Sequence, residues 1–155
     1  MRFSIQREAL LNPLQQVVGV VERRQTLPVL ANLLVQVDQG RLTLTGTDLE
    51  VEMRASTAVD KGEDGAVTIP ARKLFDIVRA LPDGSQIEIK LNGDRAALDA
   101  GRSRFTLTTL PAEEFPTIDE IDLVDKVRLP EATLKDLMER TAFAMANPDV
   151  RYYLN

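Results

Sequence analysis

The stretch QIEIKLNGDRAALDAGRSRFTLTTL, residues 86–110, does most to limit what this chain can fold into. It holds three runs, QIEIKL, RAALDA and SRFTLTTL, whose apolar and polar residues alternate with the period of two that marks half-buried β-strands. The first two runs are separated by Asn92-Gly93, a strong short-range hairpin signal, and the last two by Gly101. Three antiparallel strands result. In the last of them Arg102, Arg104, Thr106 and Thr108 point one way, while Ser103, Phe105, Leu107 and Thr109 point the other. A Pro-rich acidic segment follows at once, so this is read as the final strand of a sheet, with an open edge. Two readings of that edge stand. Phe105 and Leu107 face the domain core while the arginines guard the margin against aggregation, or the edge accepts a strand from another chain.

The same reasoning applies upstream. MRFSIQ reads as a short strand, and REALLNPLQQVVGVVERR as an amphipathic helix with Leu10, Leu14, Val17, Val18 and Val21 at helical spacing. Pro13 inside it predicts a bend or a later start. NLLVQVDQGRLTLTGTDLEVEMRAS reads as strand, Gln39-Gly40 turn, strand, an irregular corner at Gly46, and a strand alternating Leu49, Val51 and Met53 against Asp48, Glu50 and Glu52. GAVTIP is a further strand. ARKLFDIVRAL follows Pro70 as a helix with Leu74, Ile77, Val78 and Leu81 on one face, stopped by Pro82-Asp83-Gly84. The pattern is α+β, with two helices packed on antiparallel sheets.

After an acidic connector, Pro111 to Asp125, the sequence begins again. Leu129 falls on Ile5, Leu134 on Leu10 and Met138 on Leu14, and Asn155 follows the second copy's helix much as Asn32 follows the first. This is an internal repeat of domain size. The expected organisation is a complete first domain over residues 1–120 and a second, truncated one over 126–155. A lone strand and helix cannot bury their apolar faces, so Leu129 to Asn155 are expected to be poorly supported unless something covers them.

Composition narrows the chemistry. With 155 residues and 44% hydrophobic content the chain suits one well-packed domain and the beginning of another, and it has no apolar run long enough for a bilayer or a signal-peptide core. A cytoplasmic location is expected. Cys and His are both absent, which removes thiolate sites and the usual general base and metal ligand. The net charge of −5 argues against nucleic acid only as a sum. The connector alone carries Glu113, Glu114, Asp119, Glu120, Asp122 and Asp125, while basic residues gather on the two helices.

Among candidate sites, Asp48, Glu50 and Glu52 would line one face of a strand and suggest a carboxylate-dependent metal hydrolase. The same alternation also describes the outer face of any half-solvated strand, and that reading is preferred. Tyr152-Tyr153 suits base stacking, or a core residue beside an interface residue. Arg23 and Arg24, with Arg72, Lys73 and Arg79, are candidate phosphate contacts if both helices pack on one side of the sheet.

The segments RRQTLPVLANLL, LTLTGTDLEVEM, TIPARKLFDIVRALP, GRSRFTLTTLPAEEFP and DVRYYLN resemble the bacterial replicative sliding clamp family, the β subunit of DNA polymerase III. The resemblance covers the family's first domain and roughly the first quarter of its second. It implies a DNA-clamp fold in which helices line the hole of a ring and sheets form its outside, two chains joining head to tail. It implies no catalytic residue, metal or cofactor. Its partners would be duplex DNA without sequence preference, DNA polymerase III, the clamp loader and a second protomer. By position, Arg24 and Arg72 match residues that approach DNA. Lys73, Arg95, Arg102, Arg104, Phe105 and Leu107 match one side of the ring-closing interface, where the resemblance favours the docking reading of the edge. Arg151, Tyr152, Tyr153 and Leu154 match the start of a partner-binding cleft. Asn147-Pro148 departs from the family's more polar pattern in a loop near DNA.

Overall fold

A computed structural model describes residues 1–21, 27–117 and 127–145. The chain divides into two units, Met1–Asp119 and Glu120–Asn155. In the first, β1 (Arg2–Gln6) runs directly into α1 (Arg7–Val17), which buries Leu10, Leu14 and Val17 as its spacing predicts. The helix ends at Val17, before Val18 and Val21. It tightens into a 3₁₀ turn at Val18–Val20, and Val21 is already extended. The β-branched run around Gly19 explains the early stop, since Val17, Val18, Val20 and Val21 lose side-chain freedom in a helix and glycine resists helical order. Pro13 does not delay the start. It sits inside α1 with its ring buried, offsetting part of the cost of the missing amide bond.

Two antiparallel sheets follow. One has the order β4-β3-β2-β6, formed by β2 (Asn32–Asp38), β3 (Arg41–Thr47), β4 (Glu52–Ala58) and β6 (Gly65–Pro70). The other has the order β5-β1-β7-β8-β9, where β5 (Lys61–Glu63), β7 (Gln86–Asn92), β8 (Arg95–Ala100) and β9 (Ser103–Thr108) join β1. α2 (Ala71–Ala80) leaves the end of β6, and its buried face is Ala71, Leu74 and Val78. Ile77 is only half-buried. The α+β architecture read from the sequence is the one observed; the short β5 has no alternation to announce it.

The turns refine the expected register. Gln39 and Gly40 both have positive φ, 46° and 78°, as a type I′ turn requires. At the next hairpin Asn92 pairs with Arg95, so the central residues are Gly93-Asp94 and not Asn92-Gly93. Gly93 has φ of 59° while Asp94 stays at negative φ, the pattern of a type II′ turn with glycine first. Gly101-Arg102 repeats this between Ala100 and Ser103. Gly46 is not a corner. It lies within β3 opposite Met53, where a Cβ would stand 3.0 Å from Leu33 Cδ2, the Val17 carbonyl and Val20 Cγ1. Glycine here lets α1 and its 3₁₀ extension lie close on the sheet. Gly46→Val is therefore expected to destabilise the domain by about 1–3 kcal/mol through overpacking, read as a lowered urea midpoint.

The main core combines the inward residues of both sheets, among them Phe3, Ile5, Leu33, Val35, Leu44, Ile69, Ile87 and Ile89, with the apolar faces of α1 and α2. Leu34 points the opposite way along β2. It is covered by Val29 and Leu30 from the 3₁₀ turn Pro28–Ala31 and by Phe115, making a second, smaller core on the outer face. The opening of the acidic connector is thus packed against the first unit, with Phe115 buried. Between these layers runs a buried polar link. Asn32 Nδ2 donates to Thr68 Oγ1 at 2.8 Å, and the Thr68 hydroxyl donates to the Leu110 carbonyl at 3.0 Å. Leu110 and Thr68 also form a backbone bridge, which fastens β6 to the chain just beyond β9. Arg7 joins the helices, its guanidinium donating to the Val78 and Arg79 carbonyls at the end of α2, 3.0 Å each.

In the second unit α3 (Glu131–Ala142) begins at the position that aligns with Arg7, and it carries Leu134 and Met138 as α1 carries Leu10 and Leu14. Its side chains are exposed throughout, Leu137 and Met138 at 52% and 63%. Residues 127–130, expected as a strand, have no ladder partner among the described residues. No second sheet strand is described beside them, and an isolated strand has nothing to satisfy its backbone. Among the described residues no helix is long and apolar enough to cross a membrane.

Candidate functional site

The carboxylate site does not form. Asp48 to Val51 is a bend, not part of a strand, and β4 begins only at Glu52. Asp48 Oδ1 accepts the Glu50 and Val51 amides at 2.9 and 2.7 Å, while the Thr47 hydroxyl donates to the Val51 carbonyl. Leu49 is held at φ of 81°, where non-glycine residues are uncommon. The Asp48 carboxyl is lowered below its ordinary range by the Val51 amide first and the Glu50 amide second. Its lone pairs serve the bend, in the manner of an Asx turn. Glu52 pairs with Arg54 at 2.7 Å. The three carboxylates share no strand face, and among the described residues no group of three or more acidic side chains is placed to hold a metal ion. Of Leu49, Val51 and Met53, read as an apolar face, the first two stand exposed in the bend, while Met53 lies within β4 opposite Gly46 and is exposed there.

The edge is real. β9 pairs with β8 and ends its sheet. Its alternation is as read, but the two apolar side chains differ. Leu107 is 7% exposed and belongs to the main core, opposite Ala96, whereas Phe105, opposite Leu98, is only partly buried against it. Arg104 faces outward and directly across from Asp99, to which its Nε donates at 2.5 Å. That hydrogen bond, reinforced by the charge of Asp99, raises the already high pKa of the guanidinium. Asp99 was missed in the sequence, although a two-residue turn at Gly101-Arg102 dictates the Asp99–Arg104 register. Arg102 is itself a turn residue, and Arg95 sits at the start of β8 opposite Thr108. Arg95, Arg102 and Lys73 are exposed and have no ion pair among the described residues. The edge therefore offers uncommitted positive charge at Arg95 and Arg102, and a compensated one at Arg104.

On α2 both Arg72 and Lys73 are exposed. Arg72 Nη2 donates to the Val21 carbonyl at 2.8 Å, which fixes this cation beside the end of the 3₁₀ turn, three residues before Arg24 in sequence. Arg24 lies outside the described residues, as do Arg23, Asn147-Pro148, Arg151, Tyr152, Tyr153 and Leu154. Arg79 lies over the Phe75 ring, 5.4 Å from its centroid, and bonds Asp76, so it is engaged within its own helix.

This arrangement has close counterparts. The chain is 55% identical to the beta sliding clamp of Escherichia coli K12 and 54% identical to that of Pseudomonas aeruginosa, each match covering all of this chain. It spans 43% and 42% of those relatives' lengths. Among solved structures, the Pseudomonas aeruginosa sliding clamp (DNA polymerase III subunit beta) bound to griselimycin superposes with a TM-score of 0.94 at 53% identity. The Caulobacter crescentus DNA polymerase III beta superposes at 0.93 with 39% identity. Each covers the whole of this chain, which spans 42% of either protein. Residues 1–119 match the family model of the DNA polymerase III beta subunit, N-terminal domain, and to that family the chain belongs.

Proposed function

We propose that this chain supplies the first domain, and the opening of the second, of a ring-shaped processivity clamp that encircles duplex DNA and tethers the replicative polymerase. The observation that carries the reading is the full-length coverage of this chain by beta sliding clamps at 55% identity, together with family membership over residues 1–119. The work is topological and needs no catalytic group. Arg24 and Arg72 approach DNA phosphates inside the ring, where weak, screened contacts without base readout suit sliding. The acidic outer surface discourages DNA elsewhere. The β9 edge closes the ring against a second protomer placed head to tail. Strand pairing supplies adhesion there, and Arg95, Arg102 and Lys73 select acidic residues opposite. Arg151, Tyr152, Tyr153 and Leu154, which lie outside the described residues, contribute contacts for polymerase and clamp loader. A cytoplasmic location follows from replication chemistry.

In the full-length protein, loaded clamps are expected to remain on closed circular DNA and to leave when the circle is linearised. Gel filtration of loaded complexes before and after cutting reads this, and equal retention on both forms would mean ordinary binding instead. Arg24→Glu is expected to lower loading or retention while the melting temperature stays unchanged. This chain alone is expected to bind duplex DNA weakly, with log affinity falling by about 0.9 per log unit of salt for each phosphate neutralised. Sub-micromolar, sequence-specific binding by fluorescence anisotropy would contradict the topological account.

A further inference from the structure

The tip of the β7–β8 hairpin carries a chemistry that the clamp reading does not use. An asparagine followed by glycine can lose its side-chain amide without an enzyme, because the next residue's backbone nitrogen attacks the side-chain carbonyl carbon. Three conditions favour this. The attacking nitrogen must not belong to proline, the side chain must be free, and the following residue must leave room for approach. Asn12 and Asn147 are each followed by proline, which has no N–H to attack with. Asn32 is buried, its amide donates to Thr68, and bulky Leu33 follows. Asn92 alone among the described asparagines meets all three. It is exposed, its side chain has no bonding partner, and Gly93 has open space on every side a Cβ would occupy.

We propose that Asn92 is a site of spontaneous deamidation. The Gly93 nitrogen forms a bond to Asn92 Cγ, ammonia leaves with the side-chain nitrogen, and a cyclic imide results. Water then opens the ring at one carbonyl or the other, giving aspartate or isoaspartate. Asn92 is held extended in the ladder, and attack requires it to rotate. That rotation breaks only the last pair of the hairpin, Asn92 with Arg95, so a local opening suffices.

The products act on the neighbouring strand. Aspartate places a carboxylate across from Arg95, a favourable cross-strand pair that compensates one of the uncommitted cations near the β9 edge. Isoaspartate adds a backbone carbon to β7 and removes the Asn92–Arg95 register. Arg95 is also the partner of Thr108 in β9, so either product reaches the open edge.

The test is to incubate the folded chain at mildly alkaline pH and map peptides by mass spectrometry. A peptide spanning residues 86–100 and the chain in urea serve as references. The expected result is the amide-to-acid mass gain at Asn92, slower than in the peptide, with Asn12 and Asn32 intact and the gain abolished in Asn92→Gln. An Asn92 that stays intact in the folded chain while the peptide converts would overturn the proposal, because the hairpin would then be protecting it. So would a faster gain at Asn32 than at Asn92. Asn92→Asp, by ion-exchange chromatography, is expected to co-elute with one of the aged species, and the absence of any such species would likewise count against it.

Discussion

Leu107→Ala is expected to lower the stability of the first domain by about 2–5 kcal/mol, whereas Phe105→Ala should leave its fold largely intact. The two residues share one face of β9 and read alike in the sequence, but Leu107 is part of the main core and Phe105 only leans on it. Removing Leu107 leaves a cavity opposite Ala96, a residue too small to fill it. Phe105 keeps surface to offer a partner. In a ring built as proposed, Phe105→Ala should shift the dimer towards monomer at unchanged melting temperature, followed by sedimentation alongside thermal unfolding. A dimer unaffected by Phe105→Ala would mean that β9 does not close the ring. Equal losses of stability from the two substitutions would return Phe105 to the core. The simultaneous substitution of both residues is uninformative for this reason, since a loss of dimer could follow from a loss of fold.

Thr68→Val should cost about 2–3 kcal/mol although it preserves shape, because it orphans buried groups. Thr68 is fully buried, and its hydroxyl both accepts from Asn32 Nδ2 and donates to the Leu110 carbonyl. With valine there, the buried Asn32 amide loses its partner. Thr68→Ser, which retains the hydroxyl, should recover most of the loss. Equilibrium urea unfolding of the three proteins gives the comparison; a valine variant as stable as the parent would show that water or another group satisfies Asn32.

Much of the fold was legible because periodicity reports which face is buried. The helices, the β7–β8–β9 meander and the edge position of β9 follow from alternation and glycine spacing. Failures arose where local pattern and tertiary demand diverge. DLEVEM alternates as a strand does, yet Asp48 and Thr47 bind backbone groups nearby and fold its first four residues into a bend, so the apparent metal ligands never meet. Gly46 looked like a break, but its lack of a side chain serves a close approach between layers, which sequence does not display. At the candidate interface the arginines were visible and their commitments were not. That Arg104 is answered by Asp99 depends on a register set by the position of one turn.

The placement of β1 has a consequence for how the chain reaches this fold. β1 lies between β5 and β7, pairing Arg2–Ser4 with residues 61–63 and Arg2–Gln6 with residues 86–90. The β2–β3–β4 and β7–β8–β9 meanders close through local turns and can form early, but the N-terminal strand waits for partners distant in sequence. During synthesis from the N-terminus, Phe3 and Ile5 have no completed sheet until β7 has emerged, so these apolar side chains stay open to wrong contacts for most of the domain's synthesis. This long-range closure is expected to limit the rate at which the domain completes, in which case substitutions in β1 slow refolding more than equally destabilising ones in β4.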